Sequence, residues 1–268
     1  MLEIKKYAAI DIGSNAIRLL ISNVIVKDHG EPQFKKSSLV RVPIRLGSDA
    51  FVSGIISDDN VARMIDAMEA FKLLMKINKV ENYKACATSA IREAENGTLV
   101  AKKILEKTGI KIDIIGGKEE AAIISSTDLN ELIEGDNSYL YVDVGGGSTE
   151  INIFAGGERK AWKSFNIGTI RLKEGIQDEK EWHVYSEWLQ ENAKKYTPEY
   201  MVGTGGNINK IYKLCGLADW QMLHRDELYK KTEFLKEFSP KELIEQFDIR
   251  DDRADVIVHG ANIYHRAM

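Results

Sequence analysis

Two short segments of this chain, each with an aspartate followed by glycines and small polar residues, suit a phosphate group and its metal ion. Asp11–Asn15 (DIGSN) follows the apolar run Tyr7–Ile10, and Asp143–Ser148 (DVGGGS) follows the apolar run Tyr139–Val142. Glycines allow backbone N–H groups to converge on phosphate oxygens, and a carboxylate can hold a hydrated cation. The two aspartates lie 132 positions apart, about half of the chain. This repetition predicts a duplicated architecture with one phosphate-binding turn in each half.

Each turn offers a carboxylate, glycines and small polar side chains. Asp11 and Asp143 are the predicted Mg²⁺ ligands, acting mainly through coordinated water, because Mg²⁺ loses water reluctantly. The predicted phosphate-binding residues are the ones that follow them: Gly13, Ser14, Asn15, Gly145, Gly146, Gly147 and Ser148. The alternative is structural, with each aspartate capping its own turn and the glycines forming a plain hairpin. The duplication favours the binding role.

A third acidic segment begins a predicted helix. Glu119 and Glu120 follow Gly116-Gly117 and lie in the first turn of that helix. The helix dipole keeps a carboxylate there ionised, and an ionised carboxylate can fix a water molecule by accepting its hydrogen bond. Such a water suits phosphoryl transfer, in which the nucleophile needs little activation. The alternative is stabilisation of the helix dipole alone, and the residues by themselves do not separate Glu119 from Glu120.

Two segments at predicted strand ends complete the candidate site. Thr88-Ser89 precedes Arg92, whose guanidinium can pair with a phosphate through two hydrogen bonds. The alternative for Arg92 is an ion pair with a neighbouring glutamate. Gly203–Gly206 ends a strand and opens a helix, so Gly205 is a candidate for binding an anion or the ribose–adenine part of a nucleotide. Close packing of strand against helix is the alternative there.

The composition limits the classes of partner. The 268-residue chain has 44% apolar residues, 29% charged residues and a net charge of −4. This charge provides no general attraction to nucleic acid, and the sequence does not interleave basic with aromatic residues as nucleic-acid binding requires. The chain has no apolar run of about 18 residues, and its first residues do not form a signal segment. We therefore expect no nucleic-acid or membrane partner and a cytoplasmic location.

The predicted elements repeat the same order in both halves. Alternating apolar residues predict two sets of three strands, at 7–12, 17–26 and 36–46 and at 139–143, 150–154 and 160–166, with further strands at 83–88, 111–115 and 200–202. Helices are predicted from Ser57, over 99–108, after Gly117, after Gly168, over 181–195, over 208–214 and through the last third. The sequence therefore predicts an α/β fold with mixed sheets in two domains, 1–118 and 119–268, flanking a central cleft.

The ordered motifs resemble those of the exopolyphosphatase / guanosine pentaphosphate phosphohydrolase (Ppx/GppA) family, within the actin-like ATPase superfamily. The resemblance covers nearly the whole chain and rests on Asp11–Asn15, Thr88–Arg92, Gly116–Ala121, Asp143–Ser148, Gly203–Gly206 and Arg253–Ala261. It implies two ribonuclease-H-like domains, dependence on Mg²⁺ and a homodimer. It also implies release of the terminal phosphate from inorganic polyphosphate or, alternatively, from guanosine pentaphosphate (pppGpp).

The resemblance also assigns roles to individual residues. The family's catalytic glutamate is the second of a Gly-x-Glu-Glu-Ala segment, which selects Glu120 here. Asp143 and Arg92 complete the predicted catalytic set. Thr88 joins the predicted substrate-binding residues, because it begins the segment that matches the family's Thr-x-x-x-Arg pattern.

The chain departs from the family pattern at three places. Ala16 stands where serine is usual, Asn207 stands where threonine is common, and the chain stops at Met268 before an expected Gly-x-Arg segment. These departures motivate one alternative function, a catalytically silent module that senses a phosphorylated ligand. The shared phosphate loops motivate another, a kinase or ATPase of the same superfamily that transfers phosphate to an acceptor hydroxyl.

Overall fold

Residues 3–26, 32–126, 137–218 and 221–268 are described by the structure, which is a computed structural model. The chain divides into two units, Met1–Gly116 and Gly117–Met268. The sequence places the domain boundary two residues later, after residue 118. Each unit has its own sheet and its own buried core.

The first unit is built on a five-stranded mixed sheet. Its strands are β1 (Glu3–Ile12), β2 (Ala16–Val26), β3 (Gln33–Pro43), β4 (Asn82–Ala87) and β5 (Asp113–Ile114). They lie in the order β3-β2-β1-β4-β5, where β2 is antiparallel to both β1 and β3, and β4 is parallel to both β1 and β5. Its helices are α1 (Leu46–Ala50), α2 (Asp58–Ile77), α3 (Ser89–Glu93) and α4 (Gly97–Thr108).

Strand alternation and helix periodicity build the core of the first unit. Alternate residues in the second half of β1 and along β2 turn apolar side chains inward, including Ile10, Ile12, Ile17, Leu19 and Ile21. The long helix α2 contributes residues at three- and four-residue steps to the same core: Val61, Met64, Met68, Phe71 and Met75. Ser57 caps α2 by accepting a hydrogen bond from the Asn60 N–H (3.3 Å). This packing fixes the ends of β1 and β2, where the first phosphate-binding turn lies.

The second unit is built on a four-stranded mixed sheet. Its strands are β6 (Tyr139–Val144), β7 (Thr149–Ala155), β8 (Glu158–Phe165) and β9 (Tyr200–Thr204), in the order β8-β7-β6-β9 with β9 parallel to β6. Its helices are α5 (Gly117–Ser126), α6 (Thr169–Lys173), α7 (Glu179–Tyr196), α8 (Gly206–Leu214), α9 (Arg225–Lys236), α10 (Pro240–Phe247), α11 (Asp251–Ala254) and α12 (Ile257–Ala267).

Helix α12 lies in the core of the second unit. Ile257, Ala261, Ile263 and Tyr264 on this helix are completely buried. They share a core with strands β6 and β7 and with Tyr185 of α7. The sequence predicts only that the last third is helical. The periodicity of apolar residues does not show which of these helices is buried beneath the others.

Both sheets share one strand order: three consecutive antiparallel strands with a later strand parallel to the first. The predicted α/β architecture with two mixed sheets is therefore confirmed. Two helices of five residues, α1 and α6, follow the third strand of each sheet. Within the part of the chain that the structure describes, every helix is too short or too polar to cross a membrane.

Candidate active site

The first of the two predicted phosphate-binding turns joins β1 to β2 and is held by the start of α1. The Arg45 N–H donates to the Asn15 carbonyl (3.0 Å), and the Gly47 N–H donates to the Ser14 carbonyl (2.8 Å). In a trans peptide the N–H of the next residue points opposite to the carbonyl. The N–H groups of Asn15 and Ala16 therefore point away from α1.

The second predicted phosphate-binding turn joins β6 to β7 and is held in the same way by the start of α6. Three consecutive glycine carbonyls accept hydrogen bonds from it: Gly145 from Thr169 N (3.1 Å), Gly146 from Ile170 N (2.9 Å) and Gly147 from Arg171 Nε (2.7 Å). The N–H groups of the three following residues, Gly146, Gly147 and Ser148, therefore point away from α6. Successive N–H groups on one side of a turn form a concave site for an anion.

Gly168, which precedes α6, lies against this turn so closely that a side chain would overlap the backbone of Gly146 and Gly147. The two turns also close in the same manner. The Gly13 N–H donates to the Ala16 carbonyl (3.2 Å), and the Gly145 N–H donates to the Ser148 carbonyl (2.9 Å). The predicted duplication therefore extends to individual hydrogen bonds.

The residue opposite each aspartate differs between the units. Asp11 pairs in register with Arg18 across β1 and β2, and the two side chains form an ion pair at a half-exposed position. Asp143 pairs in register with Glu150 across β6 and β7. Directly opposed residues of antiparallel strands lie on the same face of the sheet. The first unit thus places a guanidinium beside its aspartate, whereas the second places a carboxylate there.

Glu150 is 2% exposed, and its Oε1 accepts a hydrogen bond from the Ser164 hydroxyl (2.8 Å). A second carboxylate beside Asp143 gives a donor set of hard oxygens, which suits Mg²⁺ that keeps several waters and binds through one or two carboxylates. Among the residues that the structure describes, no group of three or more His, Cys, Asp or Glu gathers as a metal cage. The donor set of Asp143 and Glu150 therefore fits a hydrated Mg²⁺, while Asp11 already has a cationic partner in Arg18.

The helix that carries Glu120 begins beside this carboxylate pair. A Cβ placed on Gly117 would lie 3.0 Å from the Ser164 Cβ, so the start of α5 packs directly on the serine that holds Glu150. Glu119 is exposed, whereas Glu120 is partly buried. The second unit therefore gathers the start of α5, Ser164, Glu150 and Asp143, and Glu120 is the glutamate of its pair that turns toward the protein.

In the first unit, the end of β4 meets the first turn. The Ser14 and Ser89 hydroxyls are buried and lie 2.9 Å apart, and the Thr88 N–H donates to the Ile12 carbonyl (3.1 Å). Arg92 donates from Nη1 to the Ile115 carbonyl (2.9 Å), which ties α3 to the end of the unit. Thr88 thus lies beside the first turn, and the phosphate-binding roles of Thr88 and Arg92 stay predictions.

The glycines of Gly203–Gly206 make room for side chains of the last helices. The Tyr264 ring lies against Gly203, where a Cβ would be 3.3 Å from Cε1, and the Tyr264 hydroxyl lies against Gly205. The Arg253 guanidinium packs onto Gly206, where a side chain would overlap it. Close internal packing therefore accounts for these glycines, and a substrate contact at Gly205 stays a prediction.

Sequence reasoning missed Arg18, Glu150, Ser164 and Arg171. A signal for two of them was present, because Arg18 and Glu150 each follow their aspartate by seven residues. Extending the repeat through the hairpin would have aligned the two positions and exposed their opposite charges. Ser164 reaches Glu150 through strand pairing, and Arg171 reaches the second turn through a loop contact. The local sequence reveals neither contact.

Comparison with known proteins agrees with this arrangement. A sequence model of the Ppx/GppA phosphatase family matches residues 25–268. The chain belongs to this family. It is 30% identical, over 96% of its length, to the bifunctional 3-dehydroquinate synthase/phosphatase of Fusobacterium nucleatum, of which it covers 42%. It therefore spans less than half of that relative.

Two further Ppx/GppA relatives match nearly the whole chain. Exopolyphosphatase 1 of Mycobacterium tuberculosis is 23% identical over 98% of the chain and 81% of its own length. A crystal structure of the Aquifex aeolicus Ppx/GppA family member is 26% identical, with a TM-score of 0.72 over 99% of this chain and 90% of that one. The predicted α/β fold with two mixed sheets is confirmed, and it is the fold of the Ppx/GppA family. The assignment of the two units to the ribonuclease-H-like, actin-like ATPase type stays a prediction.

Proposed function

We propose that this protein is a Mg²⁺-dependent phosphoanhydride hydrolase that releases the terminal phosphate of inorganic polyphosphate. The observation that carries the proposal is the second turn, where three N–H groups point away from α6 beside the paired carboxylates of Asp143 and Glu150. This combination provides donors for phosphate oxygens and ligands for a cation in one place. Membership of the Ppx/GppA phosphatase family supports the same chemistry.

In this proposal, the N–H groups of Gly146, Gly147 and Ser148 bind oxygens of the terminal phosphate. Asp143 and Glu150 would hold Mg²⁺, which when bound would supply positive charge near the phosphate oxygens where negative charge develops. Glu120 accepts a hydrogen bond from the attacking water and orients it. The water oxygen bonds to the terminal phosphorus, and the bond from that phosphorus to its bridging oxygen breaks. Orthophosphate and a chain shorter by one phosphate leave, with the protons of the water distributed between products and solvent.

The first unit has candidate phosphate-binding groups of its own. Arg18 presents a guanidinium that Asp11 orients through their ion pair, and a guanidinium recognises phosphate through two parallel hydrogen bonds. We propose that Arg18, with the backbone of Gly13–Asn15, binds phosphates of the substrate. Arg92 and Thr88 belong to the same proposal. Asp11 as a direct Mg²⁺ ligand is the alternative role, and metal titration of Asp11→Asn separates the two.

Guanosine pentaphosphate is the second candidate substrate. Its 5′ end presents the same terminal phosphoanhydride, and the relatives of this chain include both an exopolyphosphatase and a guanosine-5′-triphosphate,3′-diphosphate pyrophosphatase. The net charge of −4 favours short polyphosphate over long chains, because the protein as a whole repels a polyanion. Substrate preference between the two is a matter for direct comparison.

The test is phosphate release from polyphosphates of several lengths, from pppGpp and from ATP, with Mg²⁺ and with EDTA. We expect metal-dependent release by the wild type, a loss of about a hundredfold or more in Glu120→Gln, and near-normal release in the matched control Glu119→Gln. Full activity in Glu120→Gln would contradict the role of Glu120 in orienting the attacking water. Phosphate transfer from ATP to an acceptor would support the kinase alternative, and binding without turnover would support the sensor.

A homodimeric state and a cytoplasmic location belong to this proposal as well. Light scattering coupled to gel filtration tests the first, and fractionation of cells tests the second. A monomer at micromolar concentration would contradict the dimer.

A further inference from the structure

Tyr264 of α12 reaches the point where strands β6 and β9 separate. The β6–β9 ladder ends at the pair Asp143 and Thr204. Beyond it, Gly205 turns away with a φ of +113°. The Tyr264 hydroxyl enters this gap, where it accepts a hydrogen bond from the Val144 N–H (3.3 Å) and donates one to the Thr204 carbonyl. One side chain therefore replaces the strand pairing that has just ended.

The surroundings of this hydroxyl are built to accommodate it. Tyr264 is completely buried, and its ring and hydroxyl occupy the space that side chains at Gly203 and Gly205 would need. The pKa of Tyr264 is raised well above its ordinary value, mainly by burial and to a smaller extent by the nearby Asp143 carboxylate. The hydroxyl therefore stays protonated at any working pH and keeps its donor for the Thr204 carbonyl.

The two groups that Tyr264 joins belong to the candidate site. Val144 lies between Asp143 and the glycines of the second turn, and Thr204 precedes Gly205. A Cβ placed on Gly205 would lie 3.5 Å from Asp143 Oδ1, so the two loops are in direct contact at this point. A shift of the Val144 peptide would move both the carboxylate before it and the N–H donors after it.

We propose that Tyr264 is a positioning residue of the phosphate-binding site: its hydroxyl fixes the Val144 peptide and so holds Asp143 and the Gly145–Ser148 turn in place. This inference rests on the function proposed above for that turn. The competing interpretation is that Tyr264 only fills the core. The two differ because a core role depends on the ring, whereas the positioning role depends on the hydroxyl oxygen.

Tyr185 provides a matched control within the same core. It is also completely buried, and its hydroxyl donates to the Ile263 carbonyl (3.4 Å), away from the turn. Tyr264→Phe and Tyr185→Phe each remove one buried hydroxyl and keep the ring. Tyr264→Phe should lower Tm more than Tyr185→Phe, because it removes the acceptor of the Val144 N–H, whereas the Ile263 carbonyl keeps its hydrogen bond within α12.

The first measurement is independent of catalysis. Hydrogen–deuterium exchange should show faster exchange at the Val144 amide in Tyr264→Phe, by about tenfold or more, with no change there in Tyr185→Phe. The second is the rise in Tm on adding Mg²⁺ with imidodiphosphate, which should be smaller in Tyr264→Phe than in Tyr185→Phe. The third is hydrolysis, where Tyr264→Phe should lower kcat by about tenfold with little change in KM.

Equal exchange at Val144 and equal ligand-induced Tm shifts in the two variants would overturn the proposal. Hydrolysis that is missing even in the wild type would refute the proposed function, while exchange and ligand binding would still decide the role of Tyr264. If Tyr264→Phe does not fold, Gly203→Ala serves instead, because its added Cβ would lie 3.3 Å from the Tyr264 Cε1 and 3.2 Å from the Ile208 Cγ1, so these side chains must shift. It should then accelerate exchange at Val144, and unchanged exchange would overturn the proposal.

Discussion

Asp11 and Asp143 hold the same position in two equivalent turns, but their neighbours carry opposite charges. The Arg18 guanidinium neutralises Asp11, whereas Glu150 adds a second negative charge beside Asp143. A cation is attracted to the second arrangement and an anion to the guanidinium of the first. The duplicated aspartates are therefore suited to two different tasks, although the sequence motif around them is the same.

This difference predicts separate kinetic effects for two conservative substitutions. Glu150→Gln keeps the acceptor for Ser164 and removes the charge, so we expect the Mg²⁺ concentration for half-maximal activity to rise by about tenfold or more. Arg18→Gln removes the guanidinium, so we expect KM for tripolyphosphate to rise about tenfold while the Mg²⁺ dependence stays unchanged.

Steady-state assays over a grid of Mg²⁺ and substrate concentrations measure both effects. Each variant is the control for the other, because both change one charged residue at the equivalent place in a hairpin. A shifted Mg²⁺ dependence in Arg18→Gln, together with an unshifted one in Glu150→Gln, would reverse the assignment of metal and phosphate to the two units.

At the scale of elements, two five-residue helices determine how the turns present their N–H groups. Helices α1 and α6 are too short to be stable alone, because a first helical turn is costly to form. Each follows the third strand of its sheet and donates hydrogen bonds to loop carbonyls. Their contribution is therefore the orientation of peptides, with stability supplied by the sheets behind them.

Arg171 tests this contribution in the second turn. Arg171→Met removes the hydrogen bond from Nε to the Gly147 carbonyl, so the peptide that presents the Ser148 N–H loses its anchor. We expect kcat/KM to fall by about tenfold with a small change in Tm. The matched control is Lys173→Met on the same helix. Lys173 pairs with Asp255 (3.0 Å), which lies just before α12, and not with the turn. Equal losses of kcat/KM in the two variants would contradict this account.

Asp49 links α1 to the start of α2. We expect its carboxylate to make the stability of the fold depend on pH. Its Oδ2 accepts hydrogen bonds from the Ser57 N–H (2.8 Å), the Ser57 hydroxyl (2.6 Å) and the Asn60 amide (2.8 Å). Burial would raise the pKa of Asp49, but these hydrogen bonds, with Arg63 nearby, hold it below its ordinary value. A carboxyl with a lowered pKa stabilises the fold above its unfolded pKa of about 3.9, and this stabilisation is lost as pH falls through the folded-state value.

Asp49→Asn should therefore lower Tm at pH 7, and the difference from the wild type should shrink below pH 4 as the wild-type carboxyl becomes protonated. Thermal unfolding followed by circular dichroism between pH 3 and pH 7 measures this. Glu106→Gln is the control, because Glu106 forms an exposed pair with Lys102 at 3.9 Å that contributes little. A Tm difference for Asp49→Asn that is constant across this range would refute the prediction.

At the scale of the whole molecule, the net charge of the protein has the same sign as the charge of its proposed substrates. The chain carries a net charge of −4, and its proposed substrates are polyanions. Binding must then rest on local donors such as the turn N–H groups and Arg18, because no general field draws the substrate in. Contacts of this kind respond weakly to dilute salt compared with long-range attraction.

We therefore expect kcat/KM for tripolyphosphate to change by less than about threefold between 50 and 200 mM monovalent salt at constant free Mg²⁺. Initial rates at low substrate concentration measure this ratio directly. Sodium and potassium chloride should give the same result, which controls for specific ions. A fall of tenfold or more would reveal a basic surface that acts at long range.

The parts of the fold that the sequence predicts are those with local signals. Apolar alternation places β1, β2, β6 and β7, and the repeated aspartate places both turns at the ends of strands. Helix α10, in the last third that is predicted to be helical, begins with another local signal, a capping box between Ser239 and Glu242. These features depend on residues within a few positions of one another.

The parts that the sequence does not predict depend on distant contacts. Helices α1 and α6 span little more than one turn, so they leave no periodic pattern. The burial of Glu150 depends on Ser164 from the next strand, and the space at Gly203 depends on Tyr264 from the last helix. The glycine run of Gly203–Gly206 therefore reads as a ligand-binding loop in the sequence, whereas its closest neighbours are side chains of the same unit.

Those glycines have a consequence for protein engineering and for divergence within the family. Each of these glycines leaves space that the side chain of another residue fills. Tyr264 fills the space at Gly203 and Gly205, Arg253 the space at Gly206, and Asn207 the space at Gly260. The loop and the last two helices are thus interlocked, and changes on one side are tolerated only with compensating changes on the other. A chimera that exchanges β9 and α8 with a relative should fold only when α11 and α12 are exchanged with them.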